Sequence, residues 1–121
     1  ELLSEDIRQN RSYVCAENGD IVGTFCYFIG TEPSYREIRE GGWLNDKPYG
    51  VLHRLASDGR VRGVASATVD WCLTQCRNLR VDTHEENLVM QNFFQKKGFL
   101  YCGRITLEDG TDRLAYQKIA E

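Results

Sequence analysis

The stretch "RVRGVA" at positions 60–65, within "HRLASDGRVRGVASATVDWC" (residues 53–72), joins an apolar run to an amphipathic segment. The first N–H groups of a helix have no partner inside the helix and carry partial positive charge, so such a turn can hold a phosphate. Gly63 would let the backbone approach that phosphate closely, and Arg60 and Arg62 could add charge-assisted hydrogen bonds. An ordinary solvated turn, with a glycine for the bend, is the alternative.

Two common nucleotide-binding loops are absent from the sequence. Neither G-x-x-x-x-G-K-[ST] nor G-x-G-x-x-G occurs. This argues against a P-loop nucleotidase and against a dinucleotide-binding dehydrogenase. An anion held at the turn would therefore need a site of another type.

The hydrophobic pattern predicts strands and helices on both sides of the turn. Apolar residues recur at helical spacing after it, so residues 63–77 are predicted to be helical, and residues 85–98 a second helix that stops at Gly98. Residues 31–48 are predicted to form a long loop with a short helical turn at 35–39. Predicted strands cover residues 12–18, 21–30, 49–57 and 78–84, with a C-terminal hairpin over residues 99–119.

The order of these elements predicts one α/β (α+β) domain over residues 1–121. Its sheet is expected to be mixed and mostly antiparallel, with a central, right-handed, parallel strand–helix–strand crossover and a hairpin on each side. No repeat, linker or low-complexity segment interrupts the chain. The first nine residues, "ELLSEDIRQ", are interpreted as the tail of a helix, and the chain as shortened at its N-terminus.

Composition and charge limit the class of function. The 121 residues carry a net charge of -3 and a pI of about 5.4, which disfavours general binding to nucleic acid or to an anionic membrane. No signal peptide and no run of about 20 apolar residues is seen, so a soluble, cytoplasmic protein is expected. The five cysteines form no C-x-x-C pair, which favours reduced thiols, and no metal is expected.

A second motif follows 24 residues after Gly63. "NLVMQNFFQKKGF" (residues 87–99) resembles the pattern N-x-x-A-x-x-[LF]-[YF]-x-K-x-G-F of the GNAT superfamily of acetyl-CoA-dependent N-acyltransferases, and "RVRGVA" resembles that superfamily's [QR]-x-x-G-x-[GA]. The strand "HRLAS" is similar to the family strand that ends in an L-A-V-like triplet. Met90 occupies a position that is usually small. The residues that match the second pattern are Asn87, Phe93, Lys96, Gly98 and Phe99.

The resemblance implies the GNAT fold and its activity. The chain would be an N-acetyltransferase that moves an acetyl group from acetyl-CoA to a primary amine by direct attack, through a tetrahedral intermediate. The alternative is a GNAT-like domain that binds acyl-CoA without turnover. Family members usually begin with one strand and one or two helices before the first hairpin, so the N-terminal elements are expected to be missing. The expected partners are acetyl-CoA and an amine on a small molecule or peptide, and a homodimer is left open.

The resemblance also implies where the cofactor lies, in a cleft between the splayed strands 49–57 and 78–84. Backbone groups at the end of the first strand would pair with the pantetheine arm, namely those of Leu55, Ala56 and Ser57. Pyrophosphate would lie on the N–H groups of Arg60, Val61, Arg62, Gly63, Val64, Ala65 and Ser66. Asn87 would bond the arm near the thiol. Many relatives have a tyrosine where this chain has Phe94, which is expected to line the site, with a plain core aromatic as the alternative.

Direct attack requires a neutral amine and therefore a base or a water relay. The candidates are His53, on the cofactor-side strand, and His84 with Glu85, where strand 78–84 gives way to the next helix. The carboxylates of Asp82, Glu37 and Glu40 are further candidates. A buried, hydrogen-bonded histidine is the alternative for His53. By resemblance, a backbone N–H at a bulge in the strand would polarise the thioester carbonyl.

The long loop is where the family usually builds its acceptor pocket. Substrate-binding roles are therefore expected for Glu37, Glu40 and Trp43, and for Asp82 on the neighbouring strand. Bracing of the loop is the alternative for Asp82, and a core plug the alternative for Trp43. Acidic residues in the loop favour a cationic amine, although a solvated surface explains them as well. The end of the second helix, residues 95–97, is expected to be solvated.

Overall fold

The protein is described by a computed structural model over residues 2–4, 11–59 and 61–120. The strands are β1 (Leu2–Ser4), β2 (Ser12–Glu17), β3 (Asp20–Ile29), β4 (Gly50–Ser57), β5 (Asn78–Thr83), β6 (Leu100–Thr106) and β7 (Asp112–Ile119). The helices are α1 (Val64–Gln75) and α2 (Leu88–Lys96), with a short 3-10 helix at Pro33–Tyr35. Within these ranges the seven strands form one sheet, in the order β1-β2-β3-β4-β5-β7-β6.

The pairing of the described strands confirms the predicted fold class. β4 and β5 are parallel and are joined by α1, whereas the other neighbouring pairs are antiparallel. The first hairpin turns at Asn18-Gly19, where both residues have positive φ, as the Asn-Gly signal predicts. The sheet is therefore mixed, with a parallel crossover at its centre.

Alternation along the strands divides the core between two faces of the sheet. On one face, here called the helical face, α1 and α2 pack against alternate strand residues such as Leu52, Val81 and Tyr116. On the other, here called the loop face, residues 30–49 pack over Val51 and Ala115. Because each face is covered differently, the space between β4 and β5 has two chemically different sides.

The 31–48 segment is held to the loop face and to the outer edge of β6. Arg39 and Arg104 exchange two backbone hydrogen bonds of 2.8 Å, and the N–H of Gly42 donates to the carbonyl of Cys102 at 2.9 Å. The N–H of Leu44 donates to the amide oxygen of Gln117 at 2.8 Å. These bonds cover part of the edge of β6, which would otherwise present unpaired backbone groups.

Two local predictions differ from the structure. Leu2–Ser4 form a strand that pairs with β2, so the helical interpretation of the N-terminus is wrong there, because tertiary pairing overrides local propensity. The rest of that prediction falls on residues 1 and 5–10, outside the described ranges. The helical turn predicted at 35–39 lies earlier, at Pro33–Tyr35, where Pro33 sets the turn and the Glu32 side chain caps it.

Candidate active site

The two parallel strands separate soon after they pair. β4 and β5 pair at Gly50 with Leu79 and at Val51 with Arg80, and no further register pair joins them among the described residues. A cavity of about 460 Å³ opens where they diverge. Its helical-face side is lined by Leu52, Leu55, Thr83, Asn87, Met90 and Phe94, and its loop-face side by His53, Arg54, Asp82, Leu107 and Arg113. The cavity thus connects the two faces through the sheet.

A β-bulge lies on the wall of this cavity. Cys26 pairs with His53 and Thr24 with Ala56, so Arg54 and Leu55 together oppose one residue of β3. Arg54 has φ +56, in the left-handed region that non-glycine residues rarely adopt. Such strain costs about 1–3 kcal/mol and tends to occur at functional sites. The bulge turns backbone groups away from the β3 ladder and towards the cavity.

The start of α1 leaves room for a ligand at its backbone N–H groups. Gly63 is the N-cap residue, with φ +82, and within the described part of the chain no side chain caps the helix. A Cβ placed on Gly63 would meet no described atom within 4 Å. At Gly23 of β3, by contrast, a Cβ would lie 2.8 Å from Val64 Cγ1, so that glycine lets the first turn of α1 approach the sheet. The predicted anion-binding turn therefore has open space beside Gly63, whereas Val64, the first residue of α1, packs closely against β3.

The other residues of the predicted cofactor site surround this turn. Ala56 and Ser57 end β4 and pair with β3. Val61, Arg62, Gly63 and Val64 also line a second cavity of about 460 Å³, between α1 and the β2–β3 hairpin. Arg60 lies outside the described residues. The structure thus places the end of β4 and the start of α1 near each other, joined by residues 58–63.

Lys97, just after α2, reaches the first turn of α1. Its Nζ donates to Ser66 Oγ at 2.6 Å and pairs with Asp70 Oδ1 at 2.8 Å. The prediction of a solvated helix end is therefore wrong for Lys97, although Gln95 and Lys96 are exposed. The reason is tertiary: Lys97 follows α2 at a point where α1 begins nearby, and periodicity within α2 cannot show that.

Asn87 and Phe94 line the helical-face side from α2. Asn87 is the N-cap of α2, and its Oδ1 accepts the N–H of Met90 at 3.0 Å. Phe94 is buried and packs against Phe99 and Tyr116, with ring centroids 5.1 and 5.4 Å away. Phe94 thus both lines the cavity and belongs to the core, which combines the two interpretations of the sequence.

His53 occupies the loop-face side beside the bulge. Its ring stacks with Phe28 and with Tyr35, at centroid distances of 6.3 and 6.0 Å. Its Nε2 lies 3.5 Å from Glu32 Oε1 and is buried without a hydrogen-bond partner among the described residues. Stacking and the nearby carboxylate fix the orientation of the imidazole, and the cavity gives it access to a ligand.

A buried pair of oxygens lies next to His53. Tyr35 Oη donates to Asp82 Oδ2 at 2.6 Å, and Asp82 Oδ1 lies 3.6 Å from Arg113 Nη1. Burial, followed by the charge of Asp82 and the hydrogen bond to it, raises the pKa of Tyr35 well above its ordinary value. Tyr35 therefore stays protonated and donates a hydrogen bond to Asp82. Asp82 braces the loop and lines the cavity at once.

Two other candidates for the base do not reach the cavity. His84 Nδ1 accepts the N–H of Glu86 at 3.0 Å, which places the ring in the β5–α2 turn. Glu85 pairs with Arg104 at 2.9 Å. Both residues are exposed, and neither lines the cavity between β4 and β5.

The predicted acceptor residues of the loop are also spread out. Glu40 pairs with Arg104 at 3.4 Å, and Glu37 lines a separate cavity of about 220 Å³. Trp43 Nε1 donates to the carbonyl of Tyr35 at 2.9 Å, and the guanidinium of Arg80 lies 4.3 Å from the Trp43 ring centroid. Trp43 thus packs beneath the site, and Asp82 is the one of the four predicted residues that lines the cleft.

Sequence reasoning missed two residues of the loop-face side, Arg54 and Arg113. It placed Tyr35 and Glu32 in the acceptor loop but did not link either to Asp82 or His53. Tyr35 and Asp82 are 47 residues apart, and no periodicity links them. The bulge at Arg54 has no glycine or proline to mark it, and the resemblance implied a bulge without placing it.

Two surveys of the described residues bear on other classes of site. Among those residues, no group of three or more His, Cys, Asp or Glu side chains could hold a metal ion. No helix within the described ranges is long and apolar enough to cross a membrane. All five cysteines lie within the described part and carry free thiols.

The fold and the cleft define the class of protein as an acetyltransferase. The chain belongs to the acetyltransferase (GNAT) family, whose family model matches residues 1–99. It is similar to a solved GNAT-family acetyltransferase from Streptococcus agalactiae, with 36% identity and a TM-score of 0.85, over 95% of this chain and 68% of that one. No curated protein sequence matches it significantly.

More distant solved structures share the fold. The NatC complex bound to Gag peptide and CoA is 16% identical, with a TM-score of 0.65 over 91% of this chain and 71% of that one. An Arabidopsis thaliana protein in complex with the bisubstrate analogue CoA-Ac-MVNAL is also 16% identical, with a TM-score of 0.64 over 88% and 71%. Family and fold together support acetyl transfer in general.

Proposed function

We propose that this protein transfers the acetyl group of acetyl-CoA to a primary amine by direct attack. The observation that carries the proposal is the cavity through the sheet, which opens where β4 leaves β5 after Val51 and bulges at Arg54. A thioester entering from the helical face would meet an amine entering from the loop face at the bulge. Holding both reactants in one cavity supplies proximity, which can contribute several kcal/mol to lowering the barrier.

The helical face fits a long anionic cofactor. The β4 backbone beyond Val51 has lost its β5 partner, so the groups of Leu55–Ser57 on that side are free to pair with the pantetheine amides. The open, uncapped start of α1 suits the pyrophosphate, with N–H groups of residues 61–66 as donors and Arg60 and Arg62 adding positive charge. Asn87, whose Oδ1 caps α2, still has its amide N–H groups to offer the arm.

The loop face fits the amine and its proton. The amine nitrogen attacks the carbonyl carbon, and a backbone N–H of the bulge at Arg54–Leu55 stabilises the negative oxygen of the tetrahedral intermediate. The C–N bond forms, the C–S bond breaks, and His53 accepts the proton that the amine releases, directly or through a water. Glu32, whose Oε1 lies 3.5 Å from His53 Nε2, orients the imidazole.

The thiolate leaves on the helical-face side, where Phe94 has no proton to give. A thiol has an ordinary pKa of about 8.5, so its thiolate is a fair leaving group without a dedicated acid. Thr83 is buried at the end of β5, and among the residues that line the cavity it is the one with a hydroxyl group. Its O–H could donate a hydrogen bond to the leaving sulfur.

The test combines binding and turnover. Calorimetric titration with acetyl-CoA should show micromolar binding, and a panel of primary amines should then release free thiol from acetyl-CoA. Binding without thiol release by any amine would overturn the proposed transfer and favour an acyl-CoA-binding domain. No binding by folded protein would overturn the cofactor site itself.

A matched pair of variants tests the base. His53→Gln should lower kcat by about 100-fold, because general-base catalysis contributes about 10²–10⁴-fold. His84→Gln, in the exposed β5–α2 turn, should leave kcat unchanged. Equal kcat values in the two variants would exclude His53 as the base.

A further inference from the structure

The loop-face side of the cleft contains a guanidinium with unused hydrogen-bonding groups. Arg113, near the start of β7, lines the cavity together with Asp82 and Leu107. Its Nε is buried and has no hydrogen-bond partner among the described residues. Its contact with Asp82 is a single approach of 3.6 Å. A bidentate guanidinium–carboxylate pair would be about 2.7–2.9 Å apart, so Asp82 does not saturate Arg113.

Arg80, a buried arginine of this face, is an arginine whose groups are used for packing. Its guanidinium lies between the rings of Trp43 and Tyr49, 4.3 and 3.9 Å from their centroids. Its Nη2 donates to the carbonyl of Asn45 at 2.7 Å. Arg80 Nε is also unpartnered within the described residues, but Arg80 does not line the cavity. Its charge is committed to packing, whereas Arg113 lines the cavity.

The surroundings of Arg113 indicate which ligand atoms fit. Asp82 Oδ2 already accepts a hydrogen bond from the Tyr35 hydroxyl at 2.6 Å, and the Asp82 side chain is 6% exposed. His53 lines the same cavity, and its buried Nε2 lies beside Glu32 without a hydrogen-bond partner among the described residues. A carboxylate therefore lies next to the histidine proposed to receive the amine, and a guanidinium lines the same cavity. A ligand with an amine at one end and an anion at the other is complementary to this arrangement.

We propose that Arg113 binds the carboxylate of the acceptor, and that the acceptor is a free amino acid whose amine is directed to His53. The inference rests on the proposed acetyl transfer and names its substrate class. A guanidinium fork matches a carboxylate bidentately, and the buried Nε–H then gains the partner that it lacks. The amine and the carboxylate are held in one cavity of about 460 Å³, which suits a small molecule. A peptide N-terminus, whose first carbonyl is an amide, offers Arg113 no such anion.

The experiment compares each of the twenty L-amino acids with its own carboxamide as acceptor of acetyl-CoA. For the best acceptor, kcat/KM should favour the acid by at least about 30-fold, the effect of losing one charge-assisted pair. Arg113→Met should reduce that ratio to below about 3-fold, and Arg113→Lys should recover part of it. The exposed Arg36→Met is the matched control and should retain the full preference.

Removing Arg113 alone leaves Asp82 without its cation, which destabilises the fold. A second variant therefore separates loss of the carboxylate site from loss of stability. Asp82→Asn with Arg113→Met removes both charges and should lose the acid preference in the same way. Equal kcat/KM values for acid and amide in the wild-type protein would overturn the inference. A dipeptide acceptor that outperforms every free amino acid would overturn it as well.

A readout without turnover separates this inference from the proposed function. Protein saturated with CoA is titrated with the N-acetylated form of each amino acid and with the matching N-acetyl carboxamide. Tighter binding of the acid, lost in Arg113→Met, supports the carboxylate site even if no amine releases thiol, which would overturn acetyl transfer alone. Thiol release with equal binding of acid and amide would overturn the carboxylate site and leave acetyl transfer standing.

Discussion

The two sides of the cleft are built from different parts of the chain. On the helical face, the proposed cofactor contacts come mainly from one continuous stretch, the end of β4 and the start of α1, with Asn87 24 residues after Gly63. On the loop face, the side chains come from four separate places, at Glu32–Tyr35, His53, Asp82 and Arg113. The first side uses mostly backbone groups, and the second uses mostly side chains.

This difference decides how strongly ligand binding on each side depends on the identity of the side chains. Backbone N–H groups of a turn and a helix start do not depend on residue type, apart from the need for room at Gly63. A phosphate site of that kind survives changes of side chain. The loop face depends on the identity of each side chain, so acceptor choice can change by substitution on that face while the cofactor site is retained. The predictions below test that separation, starting with the largest effect.

Gly63→Val should weaken acetyl-CoA binding by at least about 100-fold, since it would remove about two charge-assisted hydrogen bonds worth about 1.5–3 kcal/mol each. The new side chain would occupy the open space above the turn, next to the N–H groups proposed for the pyrophosphate. Calorimetry measures the affinity, and circular dichroism checks the fold.

Gly19→Val is the matched control for this variant. Gly19 has φ +87 and, as at Gly63, a Cβ added there would meet no described atom within 4 Å, so both variants carry the same left-handed strain of about 1–2 kcal/mol. The control should bind acetyl-CoA as the wild-type protein does. Equal affinities in the two variants would exclude the turn as the cofactor site.

Tyr35→Phe should act on the loop face alone. It removes a buried hydrogen bond to a carboxylate, so the free energy of unfolding should fall by about 1.5–3 kcal/mol. Acceptor KM should rise because Asp82 loses a bond that fixes it, and acetyl-CoA affinity should stay the same. Urea unfolding, acceptor kinetics and calorimetry give the three values.

Tyr49→Phe serves as the comparison for Tyr35→Phe. The Tyr49 hydroxyl accepts the N–H of Glu32 at 3.1 Å in a partly buried position, so its loss should cost about 0.5–1.5 kcal/mol. If Tyr35→Phe weakened acetyl-CoA binding as strongly as it changed acceptor KM, the two sides of the cleft would not be separable.

Lys97→Met tests the polar contacts that link the end of α2 to the turn proposed for the cofactor. Lys97 ties the end of α2 to Ser66 and Asp70, so its loss should loosen the first turn of α1. Acetyl-CoA affinity should fall by about 3- to 5-fold, corresponding to a partly exposed pair worth up to about 1 kcal/mol. The exposed Lys96→Met should change affinity by less than half of that, and an equal loss would assign the effect to net charge.

Alkaline pH should lower the free energy of unfolding, with a larger contribution from Cys72 on the helical face than from Cys102. Burial raises the pKa of the Cys72 thiol well above 9.0, so the folded state holds that proton more tightly than the unfolded state does. The stabilisation is complete below about pH 9 and is lost as the pH rises, by at most about 1.4 kcal/mol per pH unit for one group. For Cys102, burial raises the pKa but the charge of Arg80 opposes it.

Urea unfolding at pH 8 and pH 10 checks this order. Cys72→Ala should reduce the alkaline loss of unfolding free energy more than Cys102→Ala does. The unfolding free energy at pH 8 supplies the reference for each variant, so the cavity made by truncation cancels in the comparison. A larger reduction for Cys102→Ala would reverse the assignment.

Much of the helical face could be predicted from the sequence because its signals are local. The burial of Val64, Thr68 and Cys72 follows the spacing of one helix face, and Gly63 marks the turn before it. The motif that resembles the family pattern covers the same backbone segment that is proposed to hold the cofactor. The central parallel crossover follows from the order of elements and from its fixed handedness.

The sequence by itself determined the central crossover, the turn at Gly63 and the Asn18-Gly19 hairpin, since each depends on residues a few positions apart. Only the tertiary structure decided where β4 bulges and which carboxylate accepts the hydrogen bond of the Tyr35 hydroxyl. It also decided that Arg113 lines the cavity, whereas Arg80 is packed between aromatic rings. It also turned Leu2–Ser4 into a strand and brought Lys97 to α1. These features depend on contacts between residues far apart in the chain, whose free energies appear only when the sheet has brought them together.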